Sequence, residues 1–232
     1  MNAAELIDLV QANIQDTSFS REEDILPVLN RGIQAVASRV VLPETVVMAS
    51  LAVPSGTVSL TLPDDFFRRL LFCHDISDNS DQGRQVAVVT QFGNFMARFP
   101  GLNYSGEVTH VCPVGTTLYV QGKPESPVTL RIFYTREPVL LSGDNTSEPE
   151  DVPVEFRQRL LYHYACSEIH ALIEDGMEGS KKQNTNYHQG QYLQALAELA
   201  GAVDNGWTQP DLVPDDDMYA KEHMRLLSWP GI

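Results

Sequence analysis

The stretch from Val154 to Val203 constrains the fold more than any other part of the chain. It reads as two helices in tandem, EFRQRLLYHYACSEIHALIED and NYHQGQYLQALAELAGAV, joined by the polar link GMEGSKKQN. In the first, Leu160, Leu161, Tyr164, Ala165, Ile169, Leu172 and Ile173 recur at spacings of three and four, so one side of a 3.6-residue helix is apolar. Arg157, Gln158, Glu168 and Glu174 fall on the other side. In the second, Leu193, Leu196, Ala197, Ala200 and Val203 repeat the pattern, with alanines that let a neighbouring helix come close. Two such stripes on either side of a short link predict an antiparallel helix pair. No catalytic motif interrupts either stripe.

The N-terminal segment predicts a second helical pair. Ala3 to Ile14 places Leu6, Leu9, Val10 and Ile14 on one face. Ser20 and Glu23 have capping-box spacing, but a helix begun there would hold Pro27, which has no N–H to donate. A start at Asp24 puts Pro27 in the first turn, with Ile25, Leu29, Ile33, Val36, Ala37 and Val40 as the buried stripe and Pro43 as the stop. From about Thr45 to Pro138 the period becomes alternating. VVMASLAV and TVSLT flank Pro54, Ser55 and Gly56 and predict a hairpin. LPDDFFRRLL reads as a short helical turn capped by Asp64, and LFCHDIS and RQVAVVT as strands. TQFGNFMARFP reads as a helix with Thr90 as cap and Phe92, Phe95, Met96 and Phe99 as its apolar side. Three strands follow, with turns at Val114 to Thr116 and Gly122 to Pro127, and then a solvated acidic loop to Val152. The expected fold is α+β: an α-helical bundle domain with a β-rich insertion and an extended C-terminal tail. The expected domains are residues 1–44 plus 153–204 for the ring-forming helical bundle, 45–152 for the insertion and 205–232 for a docking tail.

Candidate chemistry is sparse. His163, Cys166 and His170 share one side of a helix as zinc ligands would, but they interleave with the apolar stripe and lack an evident fourth ligand, so no metal is expected. Cys73 with His74, and Cys112 with His110, offer thiol–imidazole pairs without a nameable orienting partner. Asp64 and Asp65, and Asp215 to Asp217, read as surface charge rather than as glycosidase carboxylates or a calcium loop. Neither GxxxxGK[ST] nor GxGxxG occurs. The expectation is therefore no enzyme and no cofactor. With 31 acids against 16 bases, the formal charge of −15 opposes binding to a phosphate backbone. The N-terminus lacks the pattern of a signal peptide, no stretch has the length of a membrane span, and three cysteines without CxxC spacing suit a reducing compartment, so cytoplasmic synthesis and no membrane partner are expected. The segment after Val203 carries both tryptophans. Its Trp207, Met224, Leu226, Leu227 and Trp229, set among prolines and acids, are the expected partner-docking residues.

The order of these elements resembles that of the head-to-tail connector, or adaptor, proteins of tailed bacteriophages. The resemblance is carried by the helical pair, the VVLPETV link, LPDDFFRRLL, the ARFP helix, LYVQGKPESPVTLRIFYTREPVLLS and the closing VPVEFRQRLLYHYACSEIHALIEDG and YLQALAEL helices. It implies a structural virion protein at the neck, the head-to-tail junction, assembled in the host cytoplasm. It further implies a homo-oligomeric ring of twelve subunits under the portal protein, with tail or nozzle proteins as further partners and genomic DNA passing through without specific binding. The alternative from the residues alone is a carbohydrate- or peptide-binding module with a β-rich recognition domain, for which Phe92, Phe95 and Phe99 would form the platform.

Overall fold

In the computed structural model, the residues described are 1–16, 18–78, 83–143, 146–175 and 182–203. Helix α1 (Ala3–Ile14) opens on a capping box: the Asn2 side chain accepts from the Glu5 N–H at 2.9 Å, and the Glu5 carboxylate accepts from the Asn2 N–H at 3.0 Å. It buries Ala3, Leu6, Ile7, Val10 and Ile14, leaving Leu9 at the surface. The second helical segment begins at Ser20, four residues before the expected start. The Ser20 hydroxyl accepts from the Glu23 N–H, and the Asp24 carboxylate accepts from the Ser20 N–H at 2.7 Å. Proline is accommodated by a wide π turn (Arg21–Ile25), whose bonds reach five residues back, from the N–H of Ile25 to Ser20 and of Leu26 to Arg21. Helix α2 (Leu26–Arg39) then continues from it with Pro27 as its second residue.

The β strands are β1 (Val46–Val53), β2 (Ser59–Thr61), β3 (Phe66–Asp75), β4 (Arg84–Val88), β5 (Tyr104–Ser105), β6 (His110–Val114), β7 (Thr117–Val120), β8 (Gly122–Lys123) and β9 (Val128–Arg136). Seven of them form one sheet in the order β1-β9-β3-β4-β6-β7-β2, and β5 pairs parallel with β8. The turn at Pro54 to Gly56 is present, with Gly56 at φ 76°, but it does not close a hairpin. β2 pairs instead with β7, Leu60 opposite Leu118, and β1 lies beside β9. The Gly56 N–H donates to the Pro124 carbonyl at 2.9 Å, which turns the chain away from β1.

Helix α3 (Phe92–Arg98) has Gln91 rather than Thr90 as its cap residue and no side-chain cap bond. LPDDFFRRLL is not helical. It is a tight turn at Asp64 and Asp65 running into β3, and Asp65 accepts from the Tyr134 hydroxyl at 2.7 Å.

The chain divides into two compact units. Of the described residues, one holds Met1–Met48, Pro63–Arg69 and residues 133–203; the other holds Ala49–Leu62 and Leu70–Ile132. β1, β3 and β9 each start in one unit and end in the other. The expected helical bundle with a β-rich insertion is therefore corrected: the α+β class fits broadly, but the fold is mixed, organised on a seven-stranded sheet. The start of β3 and the end of β9 meet within the unit that holds α1 and α2, where the Glu137 N–H donates to the Asp65 carbonyl and the Thr135 hydroxyl to that of Phe67. Periodicity separates strand from helix but does not show which strands continue into a helical layer.

The segment from Leu141 to Val152 is less solvated than its acids suggest. Asn30 holds Leu141 by two bonds, donating to its carbonyl at 3.0 Å and accepting from its N–H at 2.8 Å. Asp151 is buried and accepts from Arg136 at 2.6 Å and from the Val139 N–H at 2.6 Å. Buried Arg157 donates to the Val152 carbonyl and to Glu148.

Candidate functional site

The candidate residues that the fold brings together lie on the tandem helices. The first is α4 (Val154–Arg157), a second π turn (Gln158–Tyr162) and α5 (His163–Ile173) in continuous succession; the second is α6 (Gln183–Val203). Their contacts run in opposite directions: Arg159 pairs with Glu198 at 2.5 Å, His163 meets His188, and Glu174 meets Thr185. The pair is antiparallel, as its stripes predict. Glu174 caps α6, accepting from the N–H groups of Asn184 and Thr185 and from the Thr185 hydroxyl at 2.7 Å. Those bonds, the hydroxyl first, hold its carboxyl below the usual range.

The buried side of α5 is turned from the expected one. Leu160, Leu161, Ala165 and Ile169 are buried, but so are Cys166, Ser167 and His170, whereas Leu172 is 66% exposed and Ile173 lies at the surface. On α6, Tyr192, Ala195, Leu196 and Leu199 are buried and Leu193 is 48% exposed. The displaced sites are occupied by polar groups that are bonded: Ser167 donates to the Tyr164 carbonyl at 2.8 Å, and His170 Nε2 meets Asn13 Oδ1 at 3.0 Å. A stripe drawn through the aliphatic and aromatic residues alone passes over Ser167 and His170 and so does not show this rotation. Leu172, Ile173, Tyr187 and Leu193 consequently place apolar side chains of both helices at the surface.

His163 and His170 come together with His188, which the sequence did not single out. The Nδ1 atoms of His163 and His188 are 2.9 Å apart, and the rings of His170 and His188 stack at 5.6 Å and 12°. Tyr162 and Tyr187 set their rings edge-on to His188. Burial lowers all three histidines, and His188, also next to the other two, falls to about 4. Cys166 lies in the same region, but burial pushes its thiol up to about 12, the wrong direction for a metal thiolate. Among the described residues no group of three or more His, Cys, Asp or Glu is placed to hold a metal ion.

The remaining candidates are dispersed. Cys73 is buried on β3, with its thiol raised to about 12 by burial and then by Asp75; Cys112 is raised by burial. Neither is a poised nucleophile. Gln121, buried, ties β7 to the start of β6 by accepting from the N–H groups of Thr109 and His110 and donating to the Glu107 carbonyl at 2.7 Å. The phenylalanines form no platform: Phe95 is buried, Phe99 packs on His110 and Phe92 on Tyr119. Trp207, Met224, Leu226, Leu227 and Trp229, and Asp215 to Asp217, lie outside the described residues.

A family model described as SU10 adaptor protein matches residues 1–214, nearly the whole chain. The chain belongs to the SU10 adaptor protein family. Its resemblance to phage head-to-tail adaptors in element order agrees with that match, and the chain is a phage adaptor, a structural protein, of a family typically without enzymatic activity. The family places it at the virion neck, with portal and tail proteins as its class of partner. No curated protein matches the chain. Among the described residues no helix is long and apolar enough to cross a membrane.

Proposed function

We propose that the chain forms a homo-oligomeric ring of twelve subunits beneath the portal, extends the DNA channel and offers the site to which tail or nozzle proteins attach. The family match over residues 1–214 carries this reading. The exposed apolar residues of the tandem helices support it, since Leu172, Tyr187 and Leu193 leave a helix pair with unburied area that a neighbouring subunit would cover. The net charge of −15 suits a wall along which DNA slides, because few cations are available to fix phosphates. Residues 205–232 act as the docking arm, with Trp207, Met224, Leu226, Leu227 and Trp229 as anchors on the portal or an adjacent subunit. Residues 1–44 and 153–204 supply the ring-forming part, and assembly takes place in the host cytoplasm. Size-exclusion chromatography with light scattering, on the protein alone and mixed with portal rings, tests the reading. The expected result is a complex holding twelve copies per portal ring; a chain that stays monomeric beside portal overturns it.

A further inference from the structure

We propose that His163, His170 and His188 form a proton-operated latch that holds α6 against α5 at neutral pH and releases it in acid. Three of the six histidines of the chain meet here. The Nδ1···Nδ1 bond of 2.9 Å between His163 and His188 requires one donor and one acceptor, so the two rings share it only while at least one of them is neutral. Protonating both turns an N–H toward an N–H. A charge on His188 also faces His170, whose ring is stacked against it, and His170 Nε2 is already committed to Asn13 of α1.

The surroundings do not compensate. From the π turn, Arg159 adds a positive charge near His163 while its own partner is Glu198. α5 supplies Cys166, and the π turn Tyr162, both with proton affinity raised by burial and therefore neutral. α6 supplies Tyr187, and α1 the neutral Asn13. Arg31 and Arg39 of α2 act on Tyr164 and Tyr192. Among the described residues Glu174 is the anion that favours a charged His170, and its oxygens are already engaged in capping α6. Those same bonds, the Thr185 hydroxyl first, hold its carboxyl below the usual range.

The sign follows from linkage. A freed histidine titrates near 6.5, whereas His188 in the closed pair titrates near 4. Opening therefore takes up protons between these values, and the closed state weakens as pH falls through that window, with nothing further lost below about 4. The inference rests on the geometry of the helix pair and stands apart from the adaptor reading.

Hydrogen exchange on the full-length protein at pH 7 and pH 5, corrected for intrinsic rates, tests it, alongside a His188→Gln, His163→Asn double variant. Amides of α6 in the wild type should lose protection about tenfold or more on acidification, while the variant changes by less than about threefold. An equal acid response in both proteins overturns the latch. The wild-type imidazole resonances give a reading independent of the variant's folding: His188 titrating below pH 5 supports the proposal, and titration near 6.5 defeats it.

Discussion

Two ion pairs show how burial decides what a charged residue contributes. Asp151 is buried and meets Arg136, which is itself only a quarter exposed, while also accepting the Val139 N–H. Asp151→Ala would leave the Arg136 guanidinium to the Glu44 and Glu137 carbonyls and orphan one backbone donor. A loss of about 3 kcal/mol is expected in urea denaturation. Arg159 and Glu198, each nearly half exposed, form a pair of similar length, yet Arg159→Ala should leave the urea midpoint nearly unchanged because water screens both groups. Comparable losses from the two variants would show that Asp151 is solvated in solution. The thiols follow the same logic with the opposite sign. Burial raises Cys73 and Cys166 to about 12, so at pH 8 the thiolate is a very small fraction of each, and iodoacetamide should leave both unmodified in the native protein and alkylate them in urea. Rapid native labelling of Cys73 would contradict its burial.

The helices were legible in the sequence to within a few residues, and the antiparallel pairing of the last two was as well, because each carries a long apolar stripe. Their rotation was less legible. His170 and Ser167 of α5 and His188 of α6 are buried through specific hydrogen or stacking partners, a property of tertiary contact that no single helix displays. Strand existence was largely readable, but pairing was not: β2 leaves its sequence neighbour β1 for β7, and Phe66 to Leu71 form strand rather than helix because Tyr134 and Thr135 meet that segment edge-on. Gly32 of α2 shows the same limit. A Cβ there would lie 2.9 Å from Tyr164 Cδ1 and 3.5 Å from Leu161 Cδ2, so α2 approaches the tandem helices over a bare backbone. Gly32→Val should cost about 2 kcal/mol or more through that clash, read as a lower melting temperature. The stripe itself gives a paired test. Leu161→Asp buries a charge without a partner and should unfold the protein, whereas Leu193→Asp, on the exposed side of α6, should leave thermal melting nearly unchanged and weaken ring assembly. Equal melting losses would place Leu193 in the core.

At the scale of the molecule, the net charge of −15 and the composition after Val203 point to different roles for wall and arm. The wall argument concerns what DNA does not do: with 31 acids against 16 bases, free protein at micromolar concentration should give no salt-sensitive mobility shift with duplex DNA at physiological ionic strength. The arm argument starts from the large apolar residues Trp207, Met218, Tyr219, Met224, Leu226, Leu227 and Trp229, which a segment this rich in proline and acid cannot bury among themselves. The run DDDMYAKEHMRLLS places acids first and Arg225 near its end, the order that suits a helix dipole, and spaces Met224 and Leu227 three apart, as a groove-binding helix would. Leu161 and Ile169 pack in one hydrophobic cluster of described residues and Leu196 and Leu199 in another. Truncation after Asp204 should therefore preserve the circular dichroism and melting of the remainder while abolishing co-sedimentation with portal rings, and Trp229→Ala in the full chain should weaken that binding without changing the fold. A truncated protein that still joins the portal with full occupancy would remove the arm from the assembly, and one that melts earlier would mean that these residues pack on their own subunit.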